Sequence, residues 1–225
     1  MDSVIPLLQA VGLGITVLLP LTNPLSTAAL MLGLTKNMSS AEIKRQSALT
    51  SIYVFWIMVT AFYGGQAIMN IFGISLPGLR IGGGLIVTFI GFRMLFPTPP
   101  NLETTATNAS RTEPHNQQSE DIAFVPLAMP TTAGPGTIAM LISIASSTHE
   151  SPFPPWIVLV APTLVCLLIS LIVWLCLRSA ERIMQVCGKS GIEAVSRMMG
   201  FLLACMGVQF VINGILEIVH IEMAS

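Results

Sequence analysis

Charge is what this chain of 225 residues has least of: Asp, Glu, Lys and Arg together make up 9% of it. The formal net charge is −1, which excludes the strongly basic surface that nucleic-acid binding needs. Cysteine is also sparse. Cys166, Cys176, Cys187 and Cys205 form no C-x-x-C pair, which argues against a thioredoxin-like or quinone-linked redox role. His115, His149 and His220 are scattered over loops and one helix end, without metal-ligand spacing. A complete Walker-type phosphate loop is missing, so ATP would act only through a separate subunit. No serine–histidine or paired-carboxylate arrangement falls at membrane depth, and the chain is expected not to be an enzyme.

Apolar side chains fill the space that charge leaves. Hydrophobic residues account for 53% of the chain and the mean hydropathy is +0.78, the balance of a protein whose partner is the lipid bilayer. A spanning helix needs about 20 mostly apolar residues. Six segments meet that need: 4–34, 48–69, 79–96, 122–144, 156–177 and 198–219. The chain starts Met1-Asp2-Ser3, with no basic stretch and no small-residue cleavage site before Pro20, so the first segment reads as a retained helix. Segment 97–120 is rich in Pro, Thr, Asn, Gln and Glu and reads as a flexible linker. It divides the chain into two three-helix halves, 1–96 and 121–225.

Basic residues set the orientation. Lys36, Lys44, Arg45, Arg93, Arg111, Arg178, Arg182, Lys189 and Arg197 all fall on one side of the six spans, and Arg80 alone falls on the other. That bias places the linker in the cytoplasm and both termini in the periplasm. Each half has an odd number of spans, so the halves must run in opposite directions. Ser39 and Glu42 have the spacing of a capping box at the start of the second span.

Two places break the apolar pattern. Pro20, Thr22, Asn23, Pro24 and Ser26 sit inside the first span; Pro130, Thr132, Gly134, Pro135, Gly136 and Thr137 sit inside the fourth. Proline removes a backbone donor and clashes with the carbonyl four residues back, so each helix should break or kink there. Freed backbone is tolerated at membrane depth only where protein or a wet cavity covers it. Broken helices in matching positions of two halves are the best sequence pointer to a transporter's binding site. The third and sixth spans match as well: Gly84 and Gly91 in one, Gly200 and Gly207 in the other. Those glycines, with Gly82 and Gly83, read as close helix contacts. Arg93 and Glu217 read as snorkelling to opposite interfaces. Gln209 and Asn213 fit either interhelical bonding or a cavity lining, and Trp56, Trp156 and Trp174 fit interface anchors.

Kinks in membrane helices are often only structural, and a protein without a transport cycle, an assembly or regulatory partner, is the rival reading. The lack of acidic residues at membrane depth disfavours a cationic solute and a carboxylate proton relay. A small zwitterion asks for less. Its carboxylate suits a half-helix N-terminus, and its ammonium suits freed carbonyls with the hydroxyls of Thr22, Ser26, Thr132 or Thr137. The same oxygens suit Na⁺. No cofactor is expected, and the coupling ion is left open between Na⁺ and H⁺.

Segments 19–30, 72–87 and 124–138, which hold both breaks and the glycine run, resemble the MarC family of bacterial inner-membrane proteins. Segment 188–194 and the stretch from Met199 to Phe210 extend the resemblance over nearly the whole chain. The resemblance implies six spans, distant kinship with amino-acid exporters of the LysE type, and relatives that carry glycine and alanine. Many family members have Asp-Pro where this chain has Asn23-Pro24, a change that bears on ion coupling. The family takes its name from an antibiotic-resistance locus, yet small residues at the breaks suit a small solute better than a drug. The expected fold is all-α, a polytopic membrane protein whose six helices form two inverted repeats with the first and fourth broken. The expected substrate-binding residues are Thr22, Asn23, Pro24, Ser26, Thr132, Gly134, Pro135, Gly136 and Thr137.

Overall fold

Where each helix starts is fixed by a few polar residues and prolines. The computed structural model describes residues 4–35, 38–96, 122–147 and 154–224. Within them run α1 (Val4–Thr22), α2 (Pro24–Leu34), α3 (Ser40–Phe72), α4 (Leu76–Leu95), α5 (Ala123–Thr132), α6 (Pro135–Ser147), α7 (Pro155–Arg178) and α8 (Ala180–Ala224). No strand occurs among the described residues. The capping box forms: the Ser39 hydroxyl accepts the Glu42 N–H, and the Glu42 carboxylate accepts the Ser39 N–H at 2.9 Å. Ser75 caps α4 in the same way, accepting the Gly78 N–H. Gly73 closes α3 at φ 63°, a left-handed conformation that costs glycine nothing sterically.

Among the described residues, five helical stretches are long and apolar enough to cross a membrane: Ile5–Leu34 (α1 and α2 together), Ser40–Gly65, Leu76–Leu95, Pro155–Arg178 and Ala180–His220. The expected fourth span, 122–144, takes another form. α6 has 13 residues, fewer than a crossing needs, and α5 before it is irregular. Val125 and Met129 are extended (φ −122°, ψ 124° and φ −132°, ψ 128°). Each precedes a proline, whose ring pushes the residue before it out of the helical region. The bonds of α5 therefore skip five residues, from the Leu127 N–H to the Ile122 carbonyl and from the Ala133 N–H to that of Ala128. α8 is interrupted once, at Gly188 (φ 64°, ψ 175°), which sets a short helix from Ala180 apart from the long one that follows. The linker 97–120, with Lys36 and Arg111, lies outside the described residues.

Packing joins the two ends of the sequence. The most extensive contact is between α4 and α8; α3 packs on α5, α6 and α7, α1 on α7, α2 on α7 and α8, and α4 on α6. Backbones approach closely where glycines allow it. A Cβ on Gly84 would stand 2.6 Å from the Gly207 carbonyl oxygen, and one on Gly91 would stand 2.6 Å from that of Gly200. Gly83 packs on Ala139 of α6, whereas Gly82 faces open space and makes no close contact. Met31, Met58, Leu127, Ile169 and Leu203 are fully buried inside, while Leu8, Ile71, Phe89, Leu159 and Phe201 point outward. An apolar exterior of this kind belongs in lipid.

Three polar readings change in the folded chain. Glu217 does not snorkel alone: it forms an ion pair with Arg80 at 2.7 Å, tying α8 to the start of α4. The Gln209 amide donates to the Asn213 side chain at 2.9 Å, and both residues are exposed, so they line no internal cavity. Trp156 and Trp174 lie near the two ends of α7, Trp174 with Arg178 over its ring, but Trp56 lies near the middle of α3.

Candidate functional site

Asn23 makes the first break. It sits between α1 and α2 at φ 35°, ψ 65°, a left-handed conformation that asparagine tolerates better than most residues. Pro24 follows at the first helical position, where its missing donor costs nothing. The Asn23 carbonyl side-chain oxygen accepts the Ser26 N–H at 3.4 Å, and its amide donates to the Ser26 hydroxyl at 2.6 Å. Pro20 stays inside α1 without ending it. The Thr22 hydroxyl turns back to the carbonyls of Leu18 and Leu19.

The second break comes at Ala133 and Gly134, after the widened turn of α5. Pro135 then starts α6, and Gly134 before it has no side chain with which to cap the new helix. Thr132 donates to the Leu127 carbonyl at 2.8 Å, and Thr137 to the Thr132 carbonyl at 3.3 Å. Both hydroxyls thus turn onto backbone carbonyls at the irregular turn.

The two breaks meet. The hydroxyls of Thr27 and Thr132 lie 3.1 Å apart and both residues are fully buried. Leu21 reaches to 3.6 Å from where a Cβ on Gly136 would be, and Ile90 of α4 to 3.0 Å. Of the nine expected residues, Thr22, Asn23, Pro24, Thr132, Gly134, Gly136 and Thr137 are buried, Ser26 is half-buried and Pro135 is exposed. α2 and α6 both begin here, so two helix N-termini, each carrying partial positive charge, converge on one region.

Four neighbours were missed in the sequence reading. Thr27 bonds both the Asn23 carbonyl and Thr132; its place four residues after Asn23 was the available signal. Ser196 of α8 lies 2.6 Å from the Ser26 hydroxyl, a contact across 170 positions that local pattern does not show. Thr50 of α3 donates to the Ala123 carbonyl at the start of α5. One turn before it, Gln46 is buried, and its side-chain oxygen has no partner among the described residues.

Two cavities lie on either side of the breaks along the path of α1 and α2. One, of about 280 Å³, is lined by Leu13, Val17 and Leu18 of α1 with Phe62, Leu141 and Val165, and is almost wholly apolar. The other, of about 440 Å³, is lined by the end of α2, the start of α3, the end of α7 and the start of α8. None of the nine expected residues lines either cavity, so between them the breaks form a packed floor.

A family model described as MarC family integral membrane protein matches residues 8–219. The chain belongs to the MarC family. It is 61% identical over 214 residues to the UPF0056 inner membrane protein MarC of Citrobacter koseri, covering 95% of this chain and 97% of that protein. Proteins of the same name from Salmonella typhimurium and Escherichia coli are 59% identical over the same share of each chain. No solved structure matches. With its apolar helices, this MarC-family chain is a multi-pass protein of the inner membrane.

Proposed function

We propose that this MarC-family protein is a secondary transporter or exporter of small neutral solutes such as amino acids, with no enzymatic step. The observation that carries the reading is the meeting of two helix breaks, Asn23–Pro24 and Gly134–Pro135, through Thr27 and Thr132. Thr22, Asn23, Pro24, Ser26, Thr132, Gly134, Pro135, Gly136 and Thr137 are the proposed site. The uncapped start of α6 takes the solute carboxylate, and carbonyls with threonine hydroxyls at the breaks take its ammonium or a coupling Na⁺.

α5 and α6 together make the sixth crossing in this reading, and the halves 1–96 and 121–225 are inverted repeats with both termini periplasmic. Two pairings support that. The glycine pairs 84 with 207 and 91 with 200 exchange into each other when the halves are swapped. The packing of α3 on α5 likewise exchanges with that of α7 on α1. Inverted halves of this kind alternate access by rocking one half against the other.

A second reading, a membrane protein without a transport cycle, draws on a specific observation: the threonine hydroxyls at the breaks are bonded to protein and neither cavity reaches them. Thermal unfolding of the purified protein across the common amino acids, with and without Na⁺, separates the two. A ligand of the folded state raises the midpoint by mass action even when it binds weakly. A rise with glycine, alanine or serine is expected, and no rise with any amino acid favours the second reading.

A further inference from the structure

The 440 Å³ cavity at the basic end of the bundle belongs neither to the breaks nor to the Arg80–Glu217 ion pair. Lys44 of α3, Arg178 of α7 and Arg182 of α8 line it, facing a single carboxylate, Glu181. The two ion pairs among the described residues are Arg80–Glu217 and Arg197–Glu193, so none of these three cations is paired there. Arg178 is held with its guanidinium carbon 5.5 Å from the centre of the Trp174 ring. Stacking of that kind fixes the planar fork and leaves its N–H groups for a phosphate.

The remaining wall mixes the hydroxyls of Thr35, Ser40, Ser47 and Ser179 with an apolar side. Leu32, Trp174 and Leu175 line the same cavity, and Leu175 is 48% exposed on the outer face of α7. Basic residues at one end of the spans orient a membrane protein without converging on anything. Here cations from three helices converge on one cavity whose other side is continuous with the lipid-facing surface. A free phosphate uses only the charged half of such a site, whereas an anionic phospholipid uses both halves. Basic pockets between helices at a membrane interface hold such headgroups.

We propose that the cavity between α2, α3, α7 and α8 binds the phosphate headgroup of an anionic phospholipid, with its acyl chains lying over Leu32 and Leu175. The test is thermal unfolding of the full-length protein in detergent with phosphatidylglycerol, phosphatidylcholine or inorganic phosphate added at matched concentration. Phosphatidylglycerol is expected to raise the midpoint by several degrees and the other two to leave it nearly unchanged. The shift should vanish in a Lys44→Gln, Arg178→Gln, Arg182→Gln variant and persist in Arg197→Gln, whose arginine does not line the cavity. Should the triple variant not fold, the single Arg182→Gln protein is compared with the unmutated one for co-purified anionic lipid by native mass spectrometry, where a loss of bound lipid is expected. An equal shift with phosphatidylcholine, an equal shift with inorganic phosphate, or lipid binding unchanged in the variants would overturn the proposal.

Discussion

Asn23 carries two separate duties, and substitution can take them apart. Its backbone is left-handed and its side chain caps α2. Glycine keeps the first and loses the second; alanine loses both. Asn23→Gly is therefore expected to be more stable than Asn23→Ala, by about 1 kcal/mol, measured as the unfolding midpoint of purified protein. Asn23→Asp keeps both duties and adds a charge, so its unfolding should change little while any Na⁺ dependence of ligand binding should change. Thr27 and Thr132 are the other informative residues. Thr27→Val and Thr132→Val together should destabilise less than the sum of the two singles, with a coupling of about 0.5–1.5 kcal/mol. A coupling of zero would show that the contact between the breaks contributes nothing. Both breaks were legible in the sequence because prolines and a left-handed asparagine leave a local signature. Thr27 and Ser196 were not, since their partners come from distant segments and only the fold brings them together.

α4 and α8 pack through glycines, and this contact makes a sharp contrast. Gly91→Ala would push a methyl against the Ala204 nitrogen and the Gly200 carbonyl, each backbone that cannot turn aside. A loss of about 1–3 kcal/mol is expected. Gly82→Ala, about two and a half turns away and on the opposite face of the same helix, meets open space and should be neutral or stabilise by a few tenths to about 1 kcal/mol. Equal effects at the two positions would mean that propensity, not packing, governs this helix. The sequence showed which glycines repeat between the halves but not that Gly82 stands outside the contact. It gave the capping box of α3 directly, because Ser39 and Glu42 act on their own neighbours. The form of α5 was harder to see. Hydropathy marks segment 122–144 as apolar, yet Pro126 and Pro130 make the residues before them extended, so no regular helix runs through it.

At the scale of the molecule, the inside and outside of the bundle follow from composition, with lipid-facing and core side chains alike mostly apolar. Orientation rests on the basic residues, and fusions test it. Alkaline phosphatase joined after Ser225 should be active and the same enzyme inserted within 97–120 should be inactive, with the reverse result if the termini are cytoplasmic. The transport reading asks more of the chain, because the packed breaks must open alternately toward the two sides of the membrane. Counterflow of labelled alanine and glycine into liposomes holding the purified protein examines this most directly. Saturable exchange is expected in the unmutated protein, with at least a tenfold loss in Pro135→Ala and Thr137→Val variants that retain their unfolding midpoints. Exchange that persists unchanged in both variants, or no exchange of any small neutral amino acid, would contradict it.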